Sequence, residues 1–146
     1  MALHEEFPEP VRVAYTGTDL SFGLYGPHLK NAVYHAPINI HGMNKFHECN
    51  EYLKRTGRYS MPETDRIDFC RRDPHYPAWM AALAGADTDV LYVSVLHKND
   101  APHLMHDRQG FPIERYWAET HPESFEPLDY NRTHPGSPVR MYRVLY

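Results

Sequence analysis

Histidines stand out among the residues of this chain that could do chemistry, since 11 of its 146 residues are histidine. Imidazole nitrogens and carboxylate oxygens bind zinc when they converge to about 2.0–2.2 Å from the ion. One group of histidines recurs every six positions, and the other lies beside an aspartate. The two groups are His35, His41 and His47, and His97, His103 and His106 with Asp107.

These groups allow a metal site, because His41 and His97 each lie in a loop that follows a predicted strand. Such loops meet at one edge of an α/β sheet. The metal hypothesis uses His41, His97, His103, His106 and Asp107. Their spacing matches no recognised ligand motif such as H-E-x-x-H, so solvated loop histidines are the simpler interpretation.

A second candidate site combines polar and aromatic side chains around the loop after the first predicted strand. Its members are Tyr15, Thr16, Thr18, Asp19 and Tyr25. Aromatic faces cover the C–H surface of a sugar, and a carboxylate accepts hydrogen bonds from its hydroxyls. The alternative is that Asp19 caps a short helix while the tyrosines fill the core. The loop has neither the G-x-G-x-x-G spacing nor a lysine after a glycine run, so it does not predict a nucleotide ligand.

The serines and cysteines give no sign of a hydrolase. The G-x-S-x-G motif does not occur,. Cys49 follows His47 by two positions on a predicted helix, where such residues do not face each other,. Two cysteines do not make a disulfide framework, so Cys49 and Cys70 are expected to be free thiols, with a disulfide between them left open. No cofactor is expected from any of these patterns.

Charge and hydropathy exclude several functional classes. The net charge is −4 with neutral histidines and the basic residues do not cluster, which argues against nucleic acid as a partner,. No apolar run approaches the roughly 20 residues of a membrane span, and the N-terminus does not have the pattern of a targeting signal. The length and the 42% hydrophobic fraction indicate one domain over residues 1–146, with residues 1–10 as an N-terminal extension,.

The predicted secondary-structure elements around these side chains alternate between strands and helices. Residues 89–96 are apolar on both faces, as in a central parallel strand,, whereas Pro127 restricts its segment to an edge. The predicted strands are 11–16, 31–35, 89–96, 124–128 and 139–145. The predicted helices are 45–56, 78–84 and 112–119, with a polar excursion at 58–77 and a turn at 131–138.

Together these elements predict an α/β fold, a Rossmann-like three-layer domain of about five strands. The sheet is expected to be mainly parallel, with helices on both faces and an antiparallel C-terminal edge strand. The last strand alternates apolar and polar residues, as a half-buried strand does. It follows strand 124–128 after a turn, which predicts an antiparallel pair at one edge of the sheet.

Four segments together resemble one protein family. They are residues 12–25, 78–96, 110–125 and 139–144. They resemble the soluble C-terminal domain of bacterial multi-pass membrane proteins of the glycosyltransferase type that uses lipid-linked sugars. The resemblance implies a domain at the extracytoplasmic (periplasmic) face of the membrane. It also implies that the catalytic acids lie in a membrane part, so no catalytic residue is carried over to this chain.

Three functions follow as expectations. The leading one is a non-catalytic accessory domain that docks on a membrane protein or a membrane-associated complex, with a glycan as a further candidate ligand. The 11 tyrosines supply material for such an interface,. The second is a small metal-dependent enzyme that uses the loops at His41 and at 97–107. The third is a free-standing subunit of a larger membrane-associated assembly.

Overall fold

The computed structural model describes residues 6–17, 21–37, 75–97 and 106–146. These residues form a mixed, open five-stranded sheet with three α-helices, which is an α/β fold. The strands are β1 (Arg12–Thr16), β2 (Ala32–His35), β3 (Val90–Ser94), β4 (Phe125–Pro127) and β5 (Val139–Val144). The helices are α1 (His75–Gly85), α2 (Ile113–Thr120) and α3 (Asp129–Thr133), and two 3₁₀ turns span Ser21–Leu24 and Pro27–Leu29.

The strand order of the sheet is β2-β1-β3-β5-β4. β1 pairs in parallel with β2 and with β3, whereas β5 runs antiparallel to both β3 and β4. Two of the four strand pairs are therefore parallel, and the expectation of a mainly parallel sheet is not confirmed. The antiparallel pair at one edge is confirmed, but the edge strand is β4 and not the C-terminal strand β5. The reason is that α3 turns the chain back, so that β5 returns between β3 and β4.

β5 is buried on both faces because apolar residues pack against each of them, with Tyr142 in the cluster on one face and Met141 in the cluster on the other. Its residues Arg140, Met141 and Tyr142 are all buried, which differs from the alternation expected of a half-buried strand. Pro127, in contrast, lies in the edge strand β4, as predicted. A missing backbone N–H is tolerated at the edge of a sheet, since no further strand needs it.

Two apolar clusters lie on opposite faces of the sheet. One joins Trp79 and Trp117, from the inner sides of α1 and α2, to Leu91. The other joins Leu24 of the first 3₁₀ turn to Val90. β3 contributes to both clusters because adjacent residues of a strand point to opposite faces. The prediction that this strand is central is confirmed, since β3 is the third of five strands.

α2 and α3 end with the same short sequence, Thr-His-Pro. His121 and His134 follow the two helices with similar backbone angles, φ −125° and −127° with ψ 66° and 61°. Each imidazole stacks on a tyrosine ring, His121 on Tyr76 at 3.8 Å and His134 on Tyr130 at 4.3 Å between ring centroids. Since the proline that follows cannot continue a helix, the motif ends both of them.

α3 overlaps the segment 131–138, for which the sequence predicts a turn. The helix has only five residues, which is too short to show a helical period in the sequence. Asn131 attaches it to β5, because its Nδ2 donates to the Met141 carbonyl at 2.7 Å and its Oδ1 accepts the Met141 N–H at 2.8 Å. The turn prediction is therefore wrong for residues 131–133.

α1 extends the predicted helix 78–84 at both ends, with Pro77 in its first turn,. The predicted helix 45–56, Cys49, Cys70 and most of the polar excursion lie outside the described residues. Among the residues that the structure describes, no helix is long and apolar enough to cross a membrane. The assignment of residues 1–146 to one domain stays a prediction.

Candidate functional site

The carboxyl ends of β1 and β3 are the place where this sheet topology favours a ligand. From β1 the chain moves to β2 on one side and then returns to β3 on the other side. In open α/β sheets, such a reversal leaves a crevice between the two strands in which ligands bind. The described residues at this point are Thr16 at the end of β1, Gly17 beyond it, and Ser94 at the end of β3.

Gly17 brings the two strand ends together. Its φ is +93°, and a Cβ added to it would lie 1.9 Å from the Ser94 carbonyl oxygen. Ser94 Oγ also donates a hydrogen bond to the Thr16 carbonyl at 3.2 Å. Only glycine fits between the strands, since any side chain would collide with the backbone of β3. This residue therefore sets how closely the chain leaving β1 approaches β3.

The structure divides two of the predicted sugar-binding residues between the two faces of the sheet. Tyr15 is 8% exposed, and its ring stacks on His35 at 4.7 Å between centroids. Thr16 is fully buried and lies on the opposite face, because adjacent strand residues alternate,. The structure therefore does not bring Tyr15 and Thr16 to one ligand surface. The alternative, in which tyrosines fill the core, describes Tyr15.

The remaining residues of the predicted sugar site show no contact that tests sugar binding. Tyr25 is half-buried between the two 3₁₀ turns, and its carbonyl accepts the Asn31 N–H at 3.1 Å. Thr16 Oγ1 is buried and makes no hydrogen bond in the described part of the chain. Thr18 and Asp19 lie outside that part. The sugar site therefore stays a prediction.

Asp107, the carboxylate of the metal hypothesis, builds a turn. Its Oδ1 accepts hydrogen bonds from the backbone N–H groups of Gln109 at 2.8 Å and of Phe111 at 3.0 Å. Its Oδ2 pairs with the Arg115 guanidinium at 3.0 Å. Such bonds between an aspartate and the backbone just after it are typical of turns. Each carboxylate oxygen therefore accepts at least one hydrogen bond or ion pair from this chain.

Arg115 extends this contact into a charge network along α2. Its Nε donates to Glu119 Oε1 at 2.8 Å, one helical turn later. The Tyr142 hydroxyl donates to the same oxygen at 3.2 Å. Burial, followed by the charge of Glu119, raises the pKa of Tyr142, so its phenol remains a hydrogen-bond donor,. The network joins the turn, α2 and β5, and this role is structural.

The structure places the described histidines of the metal hypothesis in two different environments. His106 is buried, and its Nδ1 lies 2.8 Å from the Asp107 carbonyl oxygen. His97 is exposed just after β3, and His41 and His103 lie outside the described residues. No group of three or more metal-ligating side chains occurs within the stretches 6–17, 21–37, 75–97 and 106–146. The metal site stays a prediction.

Two arginine side chains that the sequence pattern does not single out enclose the Phe111 ring. The Arg115 guanidinium lies 4.5 Å from the ring centroid and that of Arg140 lies 5.3 Å from it. Arg140 is buried and donates to the carbonyls of Ser137 at 3.0 Å and Pro135 at 2.5 Å. An alternating strand pattern would place Arg140 in solvent. Its burial follows from the Phe111 ring and the segment before β5, which cover its guanidinium.

Glu114 is a further charged residue whose burial the sequence does not reveal. It lies in the first turn of α2 and is fully buried. A carboxylate at this end of a helix is stabilised by the positive end of the helix dipole. An acidic residue in the first turn after Pro112 is a signal for a helix start, but such a signal does not report burial.

Comparison with known proteins gives no relative of this chain: no family model matches it, and no curated protein or solved structure matches it. The functional interpretation therefore depends on the site geometry. That geometry is a structural network of polar groups that joins the turn at Asp107 to α2 and β5, in which Asp107, Arg115, Glu119 and Tyr142 bind one another or the backbone.

Proposed function

We propose that this chain is a non-catalytic accessory domain that docks on a membrane protein or a membrane-associated complex at the extracytoplasmic face. In this proposal it acts there like the soluble domain of membrane glycosyltransferases that use lipid-linked sugars, the class that the sequence pattern suggests. A glycan is the further ligand class of this proposal. The catalytic acids of such an assembly lie outside this chain.

The observation that carries the proposal is the use of Asp107 within the fold. A catalytic or metal-ligating carboxylate needs an oxygen that can reach a substrate or an ion. The two oxygens of Asp107 are held by Gln109, Phe111 and Arg115. Tyr15 likewise packs in an apolar cluster. These contacts support a structural role for the polar candidates that are described.

The proposal includes a Rossmann-like relationship for part of the domain. β2, β1 and β3 form a parallel unit in which the strand order reverses at β1. α1 precedes β3 and packs on one face of the sheet, as the helix of a crossover connection does,. This arrangement supports the presence of a ligand or partner site, but a fold by itself does not specify chemistry.

Sedimentation with membranes tests the docking role. The purified chain is mixed with membranes of its source organism, with the same membranes after protease treatment, and with protein-free vesicles of the same lipids. We expect binding to the untreated membranes alone, because the proposed partner is a protein. Equal binding to the vesicles, or no binding to any of the three, would contradict the proposal.

Zinc titration by calorimetry tests the metalloenzyme alternative. An accessory domain is expected to show no tight stoichiometric binding of zinc. The informative variants are His97→Ala, within the metal hypothesis, and His134→Ala, an exposed histidine outside it. Stoichiometric binding that is lost in His97→Ala and kept in His134→Ala would replace the accessory role with a metal-dependent enzyme.

A further inference from the structure

The outer side of α1 is apolar although it faces solvent. The helix has the sequence HYPAWMAALAG, without an acidic, lysine or arginine residue. Its inner side contributes Trp79 and Leu83 to the core. Its exposed residues are Pro77, Ala78, Ala81, Ala82, Ala84 and Gly85. A surface helix normally carries polar residues on its outer side, so this side of α1 resembles a helix face that is covered by another element.

Tyr146 places an exposed aromatic ring beside this helix, which is an observation independent of the alanines. Its side chain is 71% exposed. Its hydroxyl lies 2.9 Å from the carbonyl oxygens of both Leu83 and Thr88, which share its one proton. The ring is therefore fixed at the carboxyl end of α1 while one side stays open to solvent. Fixed aromatic rings are typical centres of protein interfaces, since little conformational entropy is lost on binding.

The polar residues beside the carboxyl end of α1 are mainly acidic. Asp87 is 82% exposed and pairs with Arg12 at 3.5 Å. Asp89 is also exposed, and its Oδ2 accepts the backbone N–H of Arg12 at 2.8 Å. Two carboxylates face one guanidinium here, and the carboxyl end of a helix adds negative potential. Charge complementarity therefore favours a partner with a cation at this position.

The size of the surface indicates what kind of partner fits. A helix of 11 residues is about 16 Å long and about 10 Å wide, so its outer side with Tyr146 covers on the order of a few hundred Å². A stable pair of proteins buries roughly 800 Å² on each partner. The area is therefore small for a second copy of this chain and suits a single helix. Small residues such as alanine and glycine let two helix backbones approach closely.

We propose that the outer side of α1 together with Tyr146, the α1 surface, binds one apolar α-helix of the partner protein. This helix carries a lysine or arginine near the end that lies beside Asp87 and Asp89. The inference rests on the proposed accessory function and names the surface and the partner chemistry through which docking occurs.

Fluorescence anisotropy with a designed helical peptide tests the α1 surface. The probe is an 18-residue alanine and leucine helix with two lysines at each end, and the matched control peptide has glutamates in place of the lysines. We expect saturable binding of the lysine peptide and at least tenfold weaker binding of the glutamate peptide. Equal binding of the two peptides, or no binding of either, would overturn the proposal.

Two substitutions locate the binding. Ala82→Glu adds a charge to the exposed side of α1, where folding is expected to be retained and circular dichroism checks it. Leu29→Glu is the matched control, since Leu29 is an exposed apolar residue, 65% accessible, on the second 3₁₀ turn. We expect at least tenfold weaker peptide binding for Ala82→Glu and none of this loss for Leu29→Glu. Unchanged binding of Ala82→Glu would contradict the inference.

Two further measurements separate this inference from the proposed function and from self-association. If Ala82→Glu sediments with native membranes as well as wild type does, the accessory role stands and the α1 surface is overturned. If wild type binds the lysine peptide through Ala82 but not membranes, the α1 surface stands and the accessory role fails. A dimer in analytical ultracentrifugation that Ala82→Glu dissociates, without peptide binding, would identify a second copy as the occupant and overturn the proposed helix.

Discussion

Replacing Gly17 by alanine should separate β1 from β3 and destabilise the protein. Gly17 has a φ of +93°, and an added Cβ would lie 1.9 Å from the Ser94 carbonyl oxygen and 2.7 Å from the Ser94 carbonyl carbon and Oγ. Real Cβ atoms keep at least 3.0 Å from such neighbours. The strand ends would therefore have to move apart by about 1 Å, because backbone atoms cannot rotate away as a flexible side chain does.

The size of the effect follows from two contributions. A left-handed backbone costs a residue other than glycine roughly 1–2 kcal/mol. Overpacking of a tightly packed site costs about 1–3 kcal/mol. We therefore expect Gly17→Ala to lower the free energy of unfolding by about 2–5 kcal/mol, a large part of the roughly 5–15 kcal/mol that stabilises an ordinary domain.

Urea unfolding, followed by tryptophan fluorescence, measures this loss, since Trp79 and Trp117 are both buried. Gly136→Ala is the matched control, because a Cβ at Gly136 meets nothing within 4 Å and its φ is not in the left-handed region. The control should unfold within about 0.5 kcal/mol of wild type. A Gly17→Ala variant that also stays within this range would show that no close contact between Gly17 and Ser94 holds β1 against β3.

Three further perturbations have expected outcomes. Asp107→Ala removes three contacts of one carboxylate and should lower the free energy of unfolding by about 2 kcal/mol,. Asp107→Asn keeps an oxygen that accepts the backbone N–H groups, so it should lose about half of that free energy. The same urea assay measures both variants. The pKa of Tyr142 is raised above 10.0 in the folded protein, so only the unfolded chain releases this proton as the pH first passes 10. The contribution of Tyr142 to the free energy of unfolding should therefore fall above pH 10 by up to about 1.4 kcal/mol per pH unit. A Tyr142→Phe variant whose stability falls equally steeply would show that Tyr142 does not cause this pH dependence. Tyr146→Phe loses the contact of the hydroxyl with two carbonyls. This loss should lower the free energy of unfolding by about 1 kcal/mol and should lower Tm. An unchanged Tm would show that the contact does not stabilise the fold.

The strands could be predicted because their pattern is local in the sequence. β1 and β3 are short apolar runs rich in β-branched residues, and such runs indicate buried strands without knowledge of their neighbours. Pro127 likewise indicates an edge strand by itself, because proline lacks the N–H that a further neighbouring strand would need. In the described part of the chain the sheet has five strands, with β4 at its edge.

The order of the strands could not be predicted in full, since pairing joins residues far apart in the sequence. β3 and β5 pair through Val90 with Arg143, and neither segment alone indicates this partner. The insertion of β5 between β3 and β4 depends on α3, a helix of five residues. Its contact with Met141 through Asn131 is tertiary, so its formation leaves no periodic signal in the sequence.

The sequence alone indicates the α/β class, the strand segments and the side chains that are candidates for a functional site. It could do so because strand pattern, turn residues and side-chain chemistry are properties of short segments. Tertiary packing is needed to establish that Asp107 binds Arg115 and the backbone, and that Tyr15 packs in the core. The exposure of one side of α1 also depends on tertiary packing. Burial and hydrogen bonding are set by neighbours distant in the chain, and these neighbours come together only once the sheet has formed.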